Sequence, residues 1–74
     1  MSVTIRPLGG LKEFIGGRKE AVVEPGCRAN EAIRQIGIEP DIIAMVLVND
    51  KPVSKDYILQ DGDVVKLLAV MGGG

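Results

Sequence analysis

Val64-Val65-Lys66-Leu67-Leu68-Ala69-Val70-Met71-Gly72-Gly73-Gly74 closes the 74-residue sequence. Its apolar, β-branched part reads as a strand. That strand runs, with no polar spacer, into three residues that have no side chain. Glycine lacks Cβ, so it reaches backbone conformations closed to other residues and lets a partner's backbone come close. Three extended residues reach at most about 10 Å past the strand. That distance carries a terminal carboxylate on Gly74 into another protein's cleft while the folded body stays outside. Chain ends commonly fray, but a frayed end is ordinarily polar, whereas these glycines abut the strand directly. The expectation is one domain over residues 1–74 with a flexible Gly72-Gly73-Gly74 tail.

Working back from this strand, Asp61-Gly62-Asp63 is a tight turn, and Asn49-Asp50-Lys51 turns the chain into a short strand around Pro52-Val53. Ile42 to Asn49 holds another strand, clearest over Ala44-Met45-Val46-Leu47-Val48, where the uniformly apolar run hides which face is buried. Ser54 to Leu59 reads as a loop with a helical turn that lays Tyr57, Ile58 and Leu59 over the core. The main helix lies between Cys27 and Gly37. Ala29, Ala32, Ile33 and Ile36 fall at i, i+3, i+4 and i+7, and Glu31 and Arg34 suit the helix dipole. Gly37 stands where a left-handed terminator belongs, Ile38 supplies the contact beyond it, and Pro40 stops the helix. Its start is less defined, because neither Cys27 nor Arg28 is a favoured N-cap.

Before the helix, Val3-Thr4-Ile5-Arg6 alternates as a half-buried strand, and Pro7 ends the run or marks an edge. Leu11, Phe14 and Ile15 form the apolar face of a helical turn closed by Gly16-Gly17. Ala21-Val22-Val23-Glu24 is a second strand, stopped by Pro25-Gly26. The first two strands form an antiparallel pair, and the last strand lies centrally beside the first. The class is α+β: a mixed sheet of four to five strands with one main helix packed across it.

Composition excludes several functions. Nine basic residues against ten acidic ones give no electrostatic drive toward nucleic acid or an anionic membrane. Phe14 and Tyr57 are the only aromatic residues, too few for base-stacking platforms. No apolar run approaches the roughly 20 residues that span a bilayer, and no signal peptide is expected. The single cysteine, Cys27, excludes an internal disulfide and fits a cytoplasmic location. Without histidine a Cys-His nucleophile is impossible, and a zinc site lacks ligands. Asp61-Gly62-Asp63 lacks the third ligand position and distal Glu of a calcium loop. No metal site is expected.

The Pro25-Gly26 turn before the helix, Val48-Asn49 before the short strand, Gln60-Asp61-Gly62-Asp63 before the last strand and the terminal glycines follow one another in a specific order. In that order they resemble the ubiquitin-like β-grasp sulfur-carrier family. Its members include the small subunit of molybdopterin synthase and the sulfur carrier of thiamine biosynthesis. The resemblance covers essentially the whole chain. Leu8-Gly9-Gly10-Leu11-Lys12-Glu13-Phe14 resembles the extra helical turn of the molybdopterin branch. Val70-Met71, where that branch has Pro-Pro, is closer to the thiamine one.

The resemblance implies a carrier rather than a catalyst. An adenylating, ubiquitin-activator-like enzyme uses ATP and Mg to convert the Gly74 carboxylate into an acyl adenylate. A sulfur donor then displaces AMP and leaves a thiocarboxylate. The acceptor is a synthase of the molybdopterin synthase large-subunit or thiazole synthase type, and no cofactor binds the chain itself. The same fold also serves as a protein modifier joined to a lysine through Gly74, or as a non-covalent interaction domain, and fold alone does not choose.

A carrier's body needs a docking face. If Val46, Val48, Val65 and Leu67 point inward, alternation turns Met45, Leu47, Leu68 and Val70 outward on two neighbouring strands. With Met71 they form an apolar patch beside the tail, and contiguous exposed apolar surface marks a partner site.

Overall fold

The computed structural model describes residues 1–69. The Gly72-Gly73-Gly74 tail, and Val70 and Met71 before it, lie outside the described residues. Five strands form one mixed sheet in the order β2-β1-β5-β3-β4. They are β1 (Val3–Pro7), β2 (Ala21–Val23), β3 (Ile43–Val48), β4 (Lys51–Val53) and β5 (Val64–Ala69). Among the described residues the one α-helix, α1 (Ala29–Gln35), buries Ala29, Ala32 and Ile33 in a core shared with Val3, Ile5, Val46, Val65 and Leu67. This is the β-grasp arrangement expected from the sequence, with β5 parallel to β1 and antiparallel to β3.

Hydrogen-bond direction explains an oddity of β1. Thr4 donates to the Asp63 carbonyl and Leu8 to the Leu67 carbonyl, so even-numbered residues of β1 turn their backbone groups to β5. Odd-numbered ones face β2. Pro7 ends the run, as the last residue of β1, but it does not lie on a free strand: it is buried and pairs with Leu67 of β5. Its missing N–H falls on the β2 side, beyond the last pair, Ile5–Ala21, so no ladder bond is lost.

The helix is shorter than the Cys27–Gly37 segment that holds it. Arg28 stands at the N-cap without an acceptor side chain. The exposed donor is satisfied instead from the other direction, because the Glu31 carboxylate accepts the Arg28 N–H at 2.9 Å. Its end is a Schellman motif: Gly37 N–H reaches the Arg34 carbonyl and Ile38 N–H the Ile33 carbonyl. Gly37 has φ 94°, and Ile38 is buried against the core.

Two expected contacts differ. Gly9–Ile15 forms a 3-10 helix that buries Leu11 and Ile15, but Phe14 is 53% exposed. In the loop before β5, Leu59 is buried and Tyr57 half-buried, while Ile58 faces solvent because its backbone bridges Arg28 across the helix start.

Asn49 and Asp50 both take positive φ, 51° and 70°, and make the two-residue connection from β3 to β4. This turn is bound to the start of β5. Asn49 N–H donates to the Val64 carbonyl, and its side-chain oxygen accepts the Val64 N–H at 3.0 Å. Its amide Nδ2 donates to Asp63 Oδ1 at 3.0 Å. Asp63, the one buried charged side chain among the described residues, also accepts the Tyr57 hydroxyl at 3.2 Å and the Gln60 N–H at 2.8 Å. Three donors thus answer its desolvation.

Asp63→Ala leaves those donors unanswered and should cost about 2–3 kcal/mol, read as a lower urea midpoint. The Tyr57 hydroxyl is held above the usual phenol value of 10.0, first by loss of solvent and then by the Asp63 carboxylate. A raised folded-state value means that its stabilisation is complete below the phenol's ordinary range and is lost as pH rises through the raised one. Unfolding midpoints measured across alkaline pH should fall less steeply in Tyr57→Phe than in the parent chain.

Candidate functional site

β3 and β5 present the surface on which the expected docking residues lie. Val46, Val48, Val65 and Leu67 are all buried, so the alternate positions of both strands point to the sheet's outer face. The register places Met45 directly opposite Leu68 and Leu47 opposite Lys66. Met45 is 45% exposed, and Leu47 and Leu68 are half-buried. Met45 and Leu68 are thus an apolar cross-strand pair, with Leu47 diagonal to Leu68 within side-chain reach. Val70, Met71, Gly72, Gly73 and Gly74 lie outside the described residues.

A β-bulge shapes this patch. Ile43 pairs with Ala69 and Met45 with Leu68, so the register shifts between Ile43 and Met45. Ile43 and Val46 are buried, and both residues between them, Ala44 and Met45, are exposed. Two residues stand on β3 where one stands on β5, which bends the strand, leaves Ala44 exposed beside Met45 and returns Ile43 to the core. An all-apolar run contains no signal for this.

The patch extends past what the sequence indicated. Leu8, Gly9 and Gly10 join Leu68 and Ala69 around a depression of about 290 Å³. Leu8 is 37% exposed, and Gly9, at φ 59°, lets the chain turn without placing a side chain there. In the sequence, Leu8-Gly9-Gly10 stood out only as the start of a helical turn. Its closeness to Leu68 follows from the parallel pairing of β1 with β5.

A row of charge crosses the sheet next to the patch. Arg6 pairs with Glu20 at 3.1 Å and Lys66 with Asp50 at 2.9 Å, while Arg6 and Lys66 are neighbours across β1 and β5. The Lys66 ammonium holds the Asp50 carboxyl below its ordinary range, by hydrogen bonding first and charge second. These solvated pairs orient side chains more than they stabilise the fold.

Among the described residues, no three His, Cys, Asp or Glu side chains are grouped to hold a metal ion. The Asp61 and Asp63 carboxylates both accept hydrogen bonds from the protein, Asp61 from the Ser2 N–H. No described helix is long and apolar enough to cross a membrane.

The sequence matches the family described as the ThiS family over residues 5–74. No sequence of curated function matches. Among solved structures, SAMP1 from Haloferax volcanii has TM-score 0.71 at 18% identity, with 100% of each chain covered. Urm1 from Trypanosoma brucei has TM-score 0.73 at 20% identity, covering 99% of this chain and 95% of its own. The complex of subunits 1 and 2 of molybdopterin-converting factor from Helicobacter pylori contains a similar chain, with TM-score 0.63, 23% identity and 100% of each chain covered. At these identities the likeness is one of fold, that of ubiquitin-like β-grasp proteins.

The outward aim of Met45 can be tested against its neighbour. Met45→Asp loses the pair with Leu68 and puts a poor strand former in β3, and should cost about 1 kcal/mol while the chain stays folded. Val46→Asp, which buries a charge, should cost about 4 kcal/mol or more and leave the chain largely unfolded. Circular dichroism with urea titration distinguishes the two.

Proposed function

The chain belongs to the ThiS family of ubiquitin-like sulfur carriers, and on that premise we propose that Gly74 is its reacting residue. Its carboxylate is adenylated by a partner enzyme and then converted to a thiocarboxylate for sulfur transfer in cofactor biosynthesis. The single observation that carries the reading is the reach of the family match, which runs through the terminal glycines to residue 74.

The chemistry divides between proteins. A carboxylate is a poor electrophile, because neither oxygen is a leaving group. Attack of the Gly74 carboxylate on ATP, with Mg on the phosphates, releases pyrophosphate and makes AMP the leaving group. Hydrosulfide, or its equivalent released from a sulfur donor, then attacks the Gly74 carbonyl and expels AMP. The resulting thiocarboxylate is a nucleophile near neutral pH, ready for an acceptor synthase of the molybdopterin or thiazole type. Gly72 and Gly73 supply reach without bulk, as a narrow active-site tunnel requires. ATP and Mg belong to the activating partner, and this chain is the carrier.

The body's part is recognition. Met45, Leu47 and Leu68 form the docking face, Val70 and Met71 are further partner contacts, and the depression beside Leu8 accepts an apolar side chain of the partner. Methionine suits a surface that meets successive partners, because its thioether side chain repacks easily.

Incubation with the cognate activating enzyme, ATP, Mg and a sulfur source should raise the intact mass by the exchange of one oxygen for sulfur, and removal of Gly73 and Gly74 should prevent it. An unchanged mass for the intact chain, or ladders of lysine conjugates as the sole product, would count against the proposal. Leu68→Asp should remain folded and lose co-elution with the activating enzyme. Retained co-elution would remove this face from the docking surface.

A further inference from the structure

The sheet has two outer edges, and strand alternation determines what each offers. On β3, Asn49 donates its N–H toward β5, so Val46 and Val48 turn their backbone groups to β4 and form the hydrogen-bonded pairs with Val53 and Lys51. Pro52, between them, faces the free edge, where proline has no N–H to give. That edge is closed to a docking strand. On β2 the geometry is the reverse. The odd-numbered residues of β1 face β2, so Val3–Val23 and Ile5–Ala21 are the hydrogen-bonded pairs. The N–H and C=O of Val22 therefore both point to the free edge. Val22 is 65% exposed. Beside it runs a groove of about 470 Å³ walled by β2 on one side and by Gln35 and Ile36 on the other.

We infer that the β2 edge accepts an extended partner strand with basic residues on the sheet's outer face and apolar residues toward the groove. Charge selects this occupant. Arg6 and Glu20 meet on the outer face, one step beyond the Ile5–Ala21 pair, and alternation puts Val22 and Glu24 on that same face. Among the described residues Glu24 makes no ion pair. A strand laid along β2 thus brings its outer side chains beside Glu20, Val22 and Glu24, and opposite charges across strands attract while like charges repel. Lysine or arginine fits beside each glutamate, and the first extends the Glu20–Arg6 row. A second copy of this chain does not fit, because antiparallel pairing about Val22 sets Glu20 against Glu24 twice. On the other face the partner's alternate residues enter the groove against Ile36. Arg18, the cation on the groove wall, donates its Nε–H to the Ile15 carbonyl. Main-chain bonds supply affinity in such strand addition, and alternate side chains supply specificity.

The edge is independent of the Gly74 chemistry, and its test uses the whole chain without any activating enzyme. The probes are the capped peptides Lys-Ile-Val-Ile-Lys and Glu-Ile-Val-Ile-Glu, followed by amide NMR. The lysine peptide should shift the β2 resonances and slow exchange of the Val22 amide, with the glutamate peptide binding about tenfold more weakly. Val22→Pro reproduces the closure already present at Pro52 and should abolish binding. Glu24→Lys, an exposed change that leaves the backbone untouched, should remove the preference for lysine. No shift with the lysine peptide, equal binding of both peptides, shifts centred on Met45 and Leu68, or a Val22 amide that responds to protein concentration alone would each overturn the inference.

Discussion

The buried carboxylate of Asp63 is the constraint on which the sheet's geometry rests. It accepts from Asn49, Tyr57 and Gln60, and so ties the β3–β4 turn and the loop after β4 to the residue that immediately precedes β5. Strand side chains alternate with period two, so a one-residue slip of β5 would expose Val65 and Leu67 and bury Lys66 and Leu68. The Asn49 bonds to both backbone groups of Val64 fix that phase at its origin. The identity of the outward face is therefore decided some distance from the patch itself, at a polar cluster on the other end of the strand.

The interactions differ widely in weight. The core of Ile, Val, Leu and Ala carries the stability, at roughly 1.5–3 kcal/mol for each large side chain fully buried. The Asp63 cluster contributes less net energy than specificity, because its members cost more when broken than they gain when formed. The Arg6–Glu20 and Lys66–Asp50 pairs are solvated and individually small, yet they keep a charged row beside the apolar one. The sheet is thereby divided: one face packs on α1, and the other carries contrasting stripes suited to recognition. A family whose members act through partners needs such a face more than it needs a pocket.

The edges of the sheet are treated differently from one another. β4 is short and carries Pro52 where a donor would otherwise be offered. β2 is equally short but keeps Val22 open between two glutamates. Charged flanks on an edge strand commonly serve to prevent self-association, and here they do so while leaving the edge complementary to a basic strand. Protection against one's own copy and selectivity for another chain are the same arrangement of charge.

Much of this was legible in the residues. Val3 to Arg6, Ala21 to Glu24 and the Pro25-Gly26 stop announce themselves by residue type and turn chemistry, and Gly37-Ile38 ends α1 because a residue free of Cβ strain closes a helix that way. The inward phase of Val46, Val48, Val65 and Leu67 could be posed from the sequence, but a uniformly apolar strand offers no contrast from which to decide it. Tertiary structure decided it, through the Asn49–Asp63 contact, which joins residues fourteen apart. The same holds for the bulge at Ala44-Met45, the buried place of Pro7 and the meeting of Leu8 with Leu68. Each depends on which strand lies alongside and which way its backbone groups face, and a period of two along one strand is silent about its neighbour.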